Sequence, residues 1–280
     1  MEYKILNNGI RMPMLGYGLY KVTPEEAEAC VGEALRAGYR SIDTAQYYRN
    51  EQAAGAAIRK SGIPRDELFI TTKVWISNSG YERARASIEE SLRRLGTDYA
   101  DLILIHQPFG DYYGTWQALE EAVEEGKTRA IGLSNFQAAR FMDLAANCRI
   151  SPAIDQLECN VYSQQEGILP YLAPYGTSLE AWGPLGQGRN GQMDDPILCD
   201  IARSHGRTAA QAALRFLIQK GIVAIPKSTN PVRIRENFDV FSFELSPDEM
   251  SALNALNRND TGTRCYEDPA YAARLINDKA

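Results

Sequence analysis

The stretch LFITTKVWISNSGYERARASIEESLRRLGTDYADLILIH, residues 68–106, decides the fold. It contains an apolar strand that reaches Lys73, an amphipathic helix over 81–95 and a second apolar strand over 101–106. The apolar stripe of the helix consists of Ala84, Ile88, Leu92 and Leu95. Because strand, helix and strand follow one another at short spacing, the stretch predicts two parallel strands joined by a helical crossover.

Boundary signals support this helix. Ser79 and Glu82 have the spacing of a capping box, and Gly96 stands where a C-terminal stop is expected. The same alternation continues along the chain, with strands predicted near 15–19, 39–43, 68–73, 101–106, 129–134, 153–157, 177–182 and 222–226. Eight repeats in 280 residues predict an α/β fold in which 1–280 form a single (β/α)8 TIM barrel domain. An open doubly wound sheet is the alternative.

Three segments lie outside the repeats. An Asn-Asn-Gly turn between two short apolar runs predicts an N-terminal β-hairpin within 1–14. The segment 183–193 is rich in glycine and polar residues, as is typical of a loop over a site. The tail over 257–280 is expected to be an irregular extension containing Asp260, Thr261, Gly262 and Pro269. Both of the latter segments are expected beside the barrel mouth as lids.

Composition and charge argue against several classes of protein. The hydrophobic content of 44% is typical of a globular protein, and the formal net charge of -6 argues against a nucleic-acid partner. No apolar run is long enough for a membrane span, and the amino terminus does not resemble a signal peptide. Five cysteines without a CxxC pair are typical of reduced thiols, so a cytoplasmic protein is expected. His205 is expected at the surface, and no metal site is expected.

Ionisable side chains recur where the apolar runs end. Asp43, Lys73 and His106 close three consecutive predicted strands, and Tyr48 follows in the loop after the first. In a barrel, residues at the carboxyl ends of the strands converge on one site. A tyrosine, with a reference pKa of about 10, needs a nearby cation to act as an acid at neutral pH. Lys73 paired with Asp43 can supply that cation, and His106 can orient a substrate oxygen.

Four motifs together resemble the aldo-keto reductase family: GYRSIDTAQYYRNE (38–51), TTKVW around Lys73, LILIHQP around His106 and IPKSTNPVRIREN (225–237). The resemblance covers nearly the whole chain. It implies NADPH-dependent reduction of aldehydes or ketones to alcohols on a (β/α)8 barrel. Tyr48 would be the proton donor, with Asp43, Lys73 and His106 completing a catalytic tetrad.

The last motif also predicts an anion site on physical grounds. Neither a GxGxxG turn nor a P-loop is present, since Pro226 occupies the position where a P-loop needs glycine. Asn230 and the following proline are typical of a helix start, which favours anions. Lys227, Ser228 and Arg233 around this start suit the 2′-phosphate of NADP, whereas a plain ribose would favour an acidic residue. A solvated basic helix end is the alternative.

By resemblance, further residues would contact the cofactor. Ser134, Asn135 and Gln156 would hold the nicotinamide carboxamide, and Trp182 would stack on its ring. Other implied contacts are Gly183, Leu185, Glu236 and Asn237. Gly183 stands where many animal members have serine, and Gln107 stands where many have tryptophan. The chain therefore looks closer to the microbial branch that includes 2,5-diketo-D-gluconate and methylglyoxal reductases.

Aromatic residues at the strand ends predict the substrate pocket. Tyr20, Trp75 and Phe109 would wall it together with His106, and the tail would add Cys265 and Tyr266. Such walls favour small aldehydes, dicarbonyls or aromatic aldehydes. The expected partner is thus a small carbonyl compound bound by a monomer or weak oligomer. Two alternatives are a Schiff-base lyase using Lys73 and a non-enzymatic, NADP-binding regulatory or sensor subunit.

Overall fold

The computed structural model describes residues 1–189, 191–259 and 266–278. Within these ranges, eight parallel strands form one sheet whose order follows the chain. They are β1 (Tyr17–Gly18), β2 (Ser41–Asp43), β3 (Phe69–Val74), β4 (Ala100–Ile105), β5 (Thr128–Ser134), β6 (Ile154–Glu158), β7 (Ser178–Trp182) and β8 (Val223–Ile225). A parallel bridge between Leu15 and Ala224 joins the two edges of the sheet. The predicted (β/α)8 barrel is confirmed.

The N-terminal hairpin is also confirmed. Its strands, Tyr3–Ile5 and Arg11–Pro13, pair antiparallel. Gly9 in the turn has a φ of 83°, a left-handed conformation that favours glycine. Asn7 Nδ2 donates to the carbonyl oxygen of Pro152 at 3.0 Å, just before β6 begins. The hairpin therefore lies at the amino-terminal end of the barrel, opposite the strand ends that carry the ionisable residues.

Helices between the strands cover the outside of the barrel, and three more helices follow the last strand in the described part of the chain. They are α1 (Pro24–Ala37), α2 (Glu51–Ser61), α3 (Tyr81–Leu95), α4 (Tyr112–Glu124), α5 (Ala138–Ala145), α6 (Leu169–Leu172), α7 (Pro196–Ser204), α8 (Ala209–Gln219), α9 (Pro231–Phe238), α10 (Pro247–Asn254) and α11 (Pro269–Asn277). The apolar stripe predicted for α3 is buried, as expected. Among the described residues, no helix is long and apolar enough to cross a membrane.

The capping box predicted at Ser79 is wrong. The N-cap of α3 is Gly80, one residue later, and a glycine has no side chain that could cap the helix. Gly80 has a φ of 94°, and its amide donates to Thr115 Oγ1 at 2.9 Å. The chain turn at Gly80 therefore moves the helix start past the position from which Ser79 could cap it.

Two further expectations need correction. His205 is only partly exposed, because it ends α7 and its Nε2 lies 2.9 Å from Glu249 Oε1 of α10. The tail is not wholly irregular, since its described part contains α11. Asp268 caps that helix by accepting a hydrogen bond from the Ala270 amide at 2.9 Å, and Pro269 fits the first helical position. The predicted tail residues Asp260, Thr261, Gly262 and Cys265 lie outside the described residues.

Candidate active site

A buried ion pair lies at the carboxyl end of the barrel. Asp43 ends β2 and Lys73 lies near the end of β3, and both side chains point into the barrel. Lys73 Nζ donates to Asp43 Oδ1 at 2.5 Å and to the carbonyl oxygen of Thr44 at 3.0 Å. The exposed fractions of the two side chains are 0% and 3%. Removing either partner would leave a desolvated charge, at a cost of about 3–5 kcal/mol.

Tyr48 is positioned above this pair by a short turn. The turn, Gln46–Tyr48, follows β2 closely and ends at Arg49, whose φ is 57°. Lys73 Nζ lies 5.2 Å from the centroid of the Tyr48 ring. The His106 ring lies 5.5 Å from it, centroid to centroid. The structure thus brings together the four side chains that the strand ends predicted: Asp43, Tyr48, Lys73 and His106.

His106 is a neutral imidazole in this environment. Burial, and then the nearby Lys73 cation, lower the pKa of His106 well below its ordinary value. Its Nδ1 has no hydrogen-bond partner among the described residues. The rings of Trp75 and Tyr47 lie edge-on to it, with centroid separations of 5.0 and 6.3 Å. A neutral imidazole can donate one hydrogen bond, as expected of a group that orients a substrate oxygen.

Polar side chains on the next strands form a connected group beside His106. Asn135 Nδ2 donates to the His106 carbonyl oxygen and to Ser134 Oγ, each at 3.0 Å. Asn135 Oδ1 accepts from Trp182 Nε1 at 2.9 Å. Asn135 follows β5 directly and has a φ of 67°, a conformation that asparagine tolerates better than most residues. These bonds place Ser134, Asn135 and Trp182 together, as the resemblance implied.

Gln156 connects this group to the ion pair through an acidic residue that sequence reasoning missed. Gln156 Nε2 donates to Asp43 Oδ2 and to Glu180 Oε2, each at 2.8 Å. Glu180 is fully buried. Burial, and then the Asp43 carboxylate, raise the pKa of Glu180 to about 8. The signal that could have found it is an ionisable residue in the run SLEAW, two positions before Trp182 and hence on the same face of the strand.

The loop after β7 begins with the two residues expected near the cofactor. Gly183 has a φ of 62°, a left-handed backbone conformation that is costly for serine. Glycine is therefore favoured at this position of the chain. Leu185 packs partly buried against the core, and Gln192 Nε2 donates to the Pro184 carbonyl oxygen at 3.1 Å. The loop is therefore folded on itself, while Asn190 lies outside the described residues.

The predicted anion site lies around the start of α9. Asn230 is its N-cap, and Asn230 Oδ1 accepts from the amides of Val232 at 2.8 Å and Arg233 at 3.3 Å. Lys227 and Arg233 are exposed, and Ser228 is half-buried. Two flexible cations thus flank a capped helix start, an arrangement that suits a solvent-facing phosphate.

Two residues further along α9 were also expected near the cofactor. Asn237 is buried and Glu236 is half-buried. The loop before the helix is attached to the first barrel strand, because the Tyr17 hydroxyl donates to the Ser228 carbonyl oxygen at 2.5 Å. All of the residues assigned to the adenine end therefore belong to one short loop and one helix.

Aromatic side chains form a second apolar cluster over the mouth of the barrel. Trp75, Phe109 and Tyr266 are buried in it. Tyr47, which sequence reasoning missed, stacks on Trp75 with a centroid separation of 4.1 Å. Tyr20 lies on another side, 5.3 Å from the Tyr48 ring. The structure therefore groups Trp75 with Phe109 as expected, and it places Tyr20 directly against Tyr48.

The end of α11 is fastened to this cluster. The Tyr47 hydroxyl donates to Asp278 Oδ2 at 2.8 Å, and Trp75 Nε1 donates to the Asp278 carbonyl oxygen at 3.0 Å. Tyr271, Ala272 and Leu275 of α11 pack against the same aromatic rings. The tail therefore covers the aromatic side of the site, although no sequence signal links positions so far apart.

Comparison with known sequences matches this chain to one family. The model described as "Aldo/keto reductase family" matches residues 14–258. The chain is 46% identical over 257 residues to a glyoxal reductase of Bacillus subtilis (strain 168), covering 91% of this chain and 92% of that protein. It is 43% identical over 278 residues to a morphine 6-dehydrogenase of Pseudomonas putida, covering 94% and 93%.

Solved structures of aldo-keto reductases are also similar to this chain. An aldo-keto reductase of Bombyx mori in complex with NADP has a TM-score of 0.87 and 34% identity, covering 96% of this chain and 95% of that chain. MGS-M4, an aldo-keto reductase from a Medee basin deep-sea metagenome, has a TM-score of 0.92 and 39% identity, covering 95% and 98%.

The barrel fold and these similarities define an oxidoreductase of the carbonyl-reducing class. The chain belongs to the aldo/keto reductase family. The expected activity class, NADPH-dependent reduction of carbonyl compounds, is confirmed with the family. The microbial branch and the roles of individual residues stay predictions.

Proposed function

We propose that this protein reduces small aldehydes, ketones and dicarbonyls to alcohols with NADPH, and that Tyr48 is the proton donor. The observation that carries the proposal is the buried Lys73–Asp43 ion pair, which places a fixed cation 5.2 Å from the Tyr48 ring. A buried cation next to a phenol favours the phenolate and so eases release of the proton. We name Asp43, Tyr48, Lys73 and His106 the reaction centre.

The reaction assigns a separate task to each of these residues. NADPH, when bound, supplies the hydride for the carbonyl carbon. Tyr48 gives its hydroxyl proton to the carbonyl oxygen, and Lys73 stabilises the phenolate that remains. The neutral His106 donates a hydrogen bond to the same oxygen as negative charge develops on it. Asp43 keeps Lys73 charged and in place, which also makes Lys73 a poor amine nucleophile for Schiff-base chemistry.

The side chains on the later strands fit the cofactor. Asn135 is held by bonds to His106 and Trp182, so its orientation is set before any ligand binds. With Ser134 and Gln156 it would hold the nicotinamide carboxamide, and Trp182 offers an apolar face for the ring. The further residues proposed to line the cofactor are Gly183, Leu185, Glu236 and Asn237.

We name Lys227, Ser228 and Arg233 the anion anchor, and we propose that it holds the 2′-phosphate of NADPH. Two exposed cations and a capped helix start favour a doubly charged phosphate. No acidic side chain belongs to this group, whereas a free ribose hydroxyl would favour one. The anchor therefore distinguishes NADPH from NADH by charge.

The substrate class follows from the pocket. Trp75, Phe109 and Tyr20, with His106 at the base, present ring faces and few fixed charges, which suits small uncharged carbonyl compounds. The similarity to a glyoxal reductase supports dicarbonyls and the microbial branch. We further propose that α11 and the segment 183–193 act as lids. Protease protection of both segments by NADPH would support this role, and equal cleavage with and without NADPH would contradict it.

We also propose that 1–280 form a single domain that works as a monomer or weak oligomer in the cytoplasm. The four described cysteines, Cys30, Cys148, Cys159 and Cys199, are free thiols, as is typical of a reducing compartment. Light scattering of the purified protein at micromolar concentration tests the oligomeric state. A stable higher oligomer would contradict the proposal.

The deciding experiment follows the absorbance of NADPH at 340 nm. Purified protein is mixed with NADPH and a panel that includes glyoxal, methylglyoxal and benzaldehyde. We expect consumption of NADPH with at least one of them and formation of the matching alcohol. Tight NADPH binding without consumption across the panel would instead favour the alternative, a non-enzymatic regulatory or sensor subunit.

A further inference from the structure

A buried carboxyl group with no task in the proposed reaction lies under the reaction centre. Glu180 is the third residue of β7, and its register partner on β6 is Gln156. Because strand side chains alternate between faces, Glu180 points into the barrel on the same face as Trp182. It has no exposed surface. A buried acid in this position lowers the stability of the fold, so we expect Glu180 to have a functional role.

The contacts of Glu180 constrain the amide of Gln156. A glutamine amide has two N–H donors on Nε2 and one acceptor, Oε1. Here Nε2 donates to Asp43 Oδ2 and Glu180 Oε2, each at 2.8 Å. Turning the amide over would set Oε1 against the Asp43 carboxylate, which can only accept. Asp43 therefore fixes the orientation of the Gln156 amide and Glu180 accepts its second N–H, which leaves Oε1 to accept from a ligand, such as the N–H of a carboxamide.

The charges around Glu180 favour its protonated form at neutral pH. Asp43 from β2 and Lys73 from β3 are the charged groups that face it, and β8 presents the apolar Val223 on the other side. Burial, followed by the negative charge of Asp43, raises the pKa of Glu180, and the hydrogen bond from Gln156 and then the charge of Lys73 offset only part of this. With Glu180 neutral, the charges of Asp43 and Lys73 balance. Ionisation of Glu180 would add an uncompensated negative charge to the same cluster.

We infer that Glu180 is a positioning residue of this reductase: it holds the Gln156 amide against Asp43, so that one hydrogen-bonded chain sets both the cofactor-facing oxygen and the Lys73 ion pair. The inference rests on the proposed function and adds a residue to it. Glu180 touches neither substrate nor reacting atoms, and it acts through Gln156.

Two substitutions separate the hydrogen bond from the charge. Glu180→Gln keeps an oxygen that can accept from Gln156, whereas Glu180→Leu removes the acceptor. Glu51→Gln is the matched control. Glu51 is also a buried acid whose pKa is raised mainly by burial, but it lies on α2 outside the barrel wall and accepts from Thr72 Oγ1 at 2.6 Å.

The first measurement is the Kd of NADPH by quenching of tryptophan fluorescence, together with kcat and KM for glyoxal. We expect Glu180→Leu to raise the Kd and lower kcat by about tenfold each, as for loss of one buried hydrogen bond. Glu180→Gln and Glu51→Gln should stay within about threefold of the wild type. Wild-type values in Glu180→Leu, or an equal loss in Glu180→Gln or in Glu51→Gln, would overturn the inference.

The second measurement is the pH profile of alcohol oxidation with NADP+, which needs the Tyr48 phenolate. An ionised Glu180 disfavours a further negative charge nearby, so its removal in Glu180→Gln should move the alkaline rise to lower pH by about half a unit or more. If Glu180→Leu does not fold, Glu180→Met, which also removes the carboxyl acceptor, replaces it in the Kd and kcat series, and wild-type values in Glu180→Met overturn the inference. The proposed function fails separately, when the wild type consumes no NADPH, and the Kd series still tests Glu180.

Discussion

The reaction centre and the anion anchor handle charge in opposite ways. In the reaction centre, Lys73 is fully buried and its ammonium group has two fixed hydrogen-bond acceptors. In the anion anchor, Lys227 and Arg233 are exposed, and the Tyr17 hydroxyl donates to the backbone before the helix. A buried charge interacts strongly with its neighbours, but it needs a counter-ion within the fold to offset its desolvation. An exposed charge is weaker but adapts to an incoming ligand.

This difference shows what each region requires. Proton transfer needs groups held in one geometry with water excluded, so the chain invests buried ionisable residues there. Recognition of a phosphate needs only a positive field and a few donors. Substitutions in the reaction centre should therefore affect rate and stability strongly, whereas those in the anchor should affect cofactor binding alone.

Tyr48→Phe gives the largest expected effect. It removes the proton donor but leaves the ring packed against His106 and Tyr20, so kcat should fall by about 10²–10⁴-fold while the Kd of NADPH changes little. Steady-state kinetics and fluorescence titration measure both. Tyr47→Phe is the control, since its hydroxyl contacts Asp278, and it should lose far less activity. Near-normal turnover in Tyr48→Phe would show that Tyr48 is not the proton donor.

Lys73→Met tests the buried charge itself. Asp43 would be left desolvated without its counter-ion, so we expect the free energy of unfolding to fall by about 3 kcal/mol and activity to be largely lost. Urea denaturation and circular dichroism measure the loss. Lys127→Met is the matched control, because Lys127 forms a more exposed ion pair with Glu125 at 2.5 Å, and it should change stability by less than about 1 kcal/mol. Equal losses in the two variants would contradict the contrast.

Arg233→Ala tests the anchor. Loss of one exposed cation should weaken NADPH binding about tenfold and leave NADH binding and thermal stability nearly unchanged. Arg235→Ala is the control on the same helix, since Arg235 forms an ion pair with Glu33. The same loss of affinity for NADPH and NADH in Arg233→Ala would show that Arg233 does not bind the 2′-phosphate.

Glu180→Gln tests the buried acid of the barrel through the pH dependence of the free energy of unfolding. In the unfolded chain a glutamate ionises near its ordinary pKa of 4.5, whereas folded Glu180 keeps its proton until about pH 8. The folded state therefore binds more protons between these values, and wild-type stability falls as pH rises through this window. The variant lacks this term, so its stability relative to the wild type should increase by about 1–3 kcal/mol from pH 5 to pH 8. Parallel unfolding free energies at the two pH values would contradict it.

The sequence predicted the barrel, and the proximity of Asp43, Tyr48, Lys73 and His106, for a physical reason. Apolar runs mark the strands, and a polar residue at the end of such a run, as at Asp43 or His106, marks the face on which they meet. The start of α9 could also be predicted from the sequence, because asparagine is favoured at the N-cap and proline at the first helical position, as at Asn230 and Pro231.

The features that the sequence did not predict depend on contacts between positions far apart in the chain. Tyr47 and Asp278 are 231 residues apart, and only the docking of α11 brings them together. Glu180 was hidden inside an apolar run, and its significance depends on facing Gln156 across the sheet. Ser79 failed as a cap because a glycine turn, which follows from packing against Thr115, displaced the helix start.

Two successive parts of the chain supply the proposed proton chemistry and the proposed cofactor contacts. Residues 43–106 supply the proposed proton chemistry, and residues 134–237 supply the proposed cofactor contacts. Hydrogen bonds from Gln156 to Asp43 and from Asn135 to the His106 carbonyl oxygen cross between them. The proton chemistry and the cofactor contacts therefore depend on each other, and replacing residues 134–237 with those of another reductase should preserve activity only when Asn135, Gln156 and Glu180 are retained.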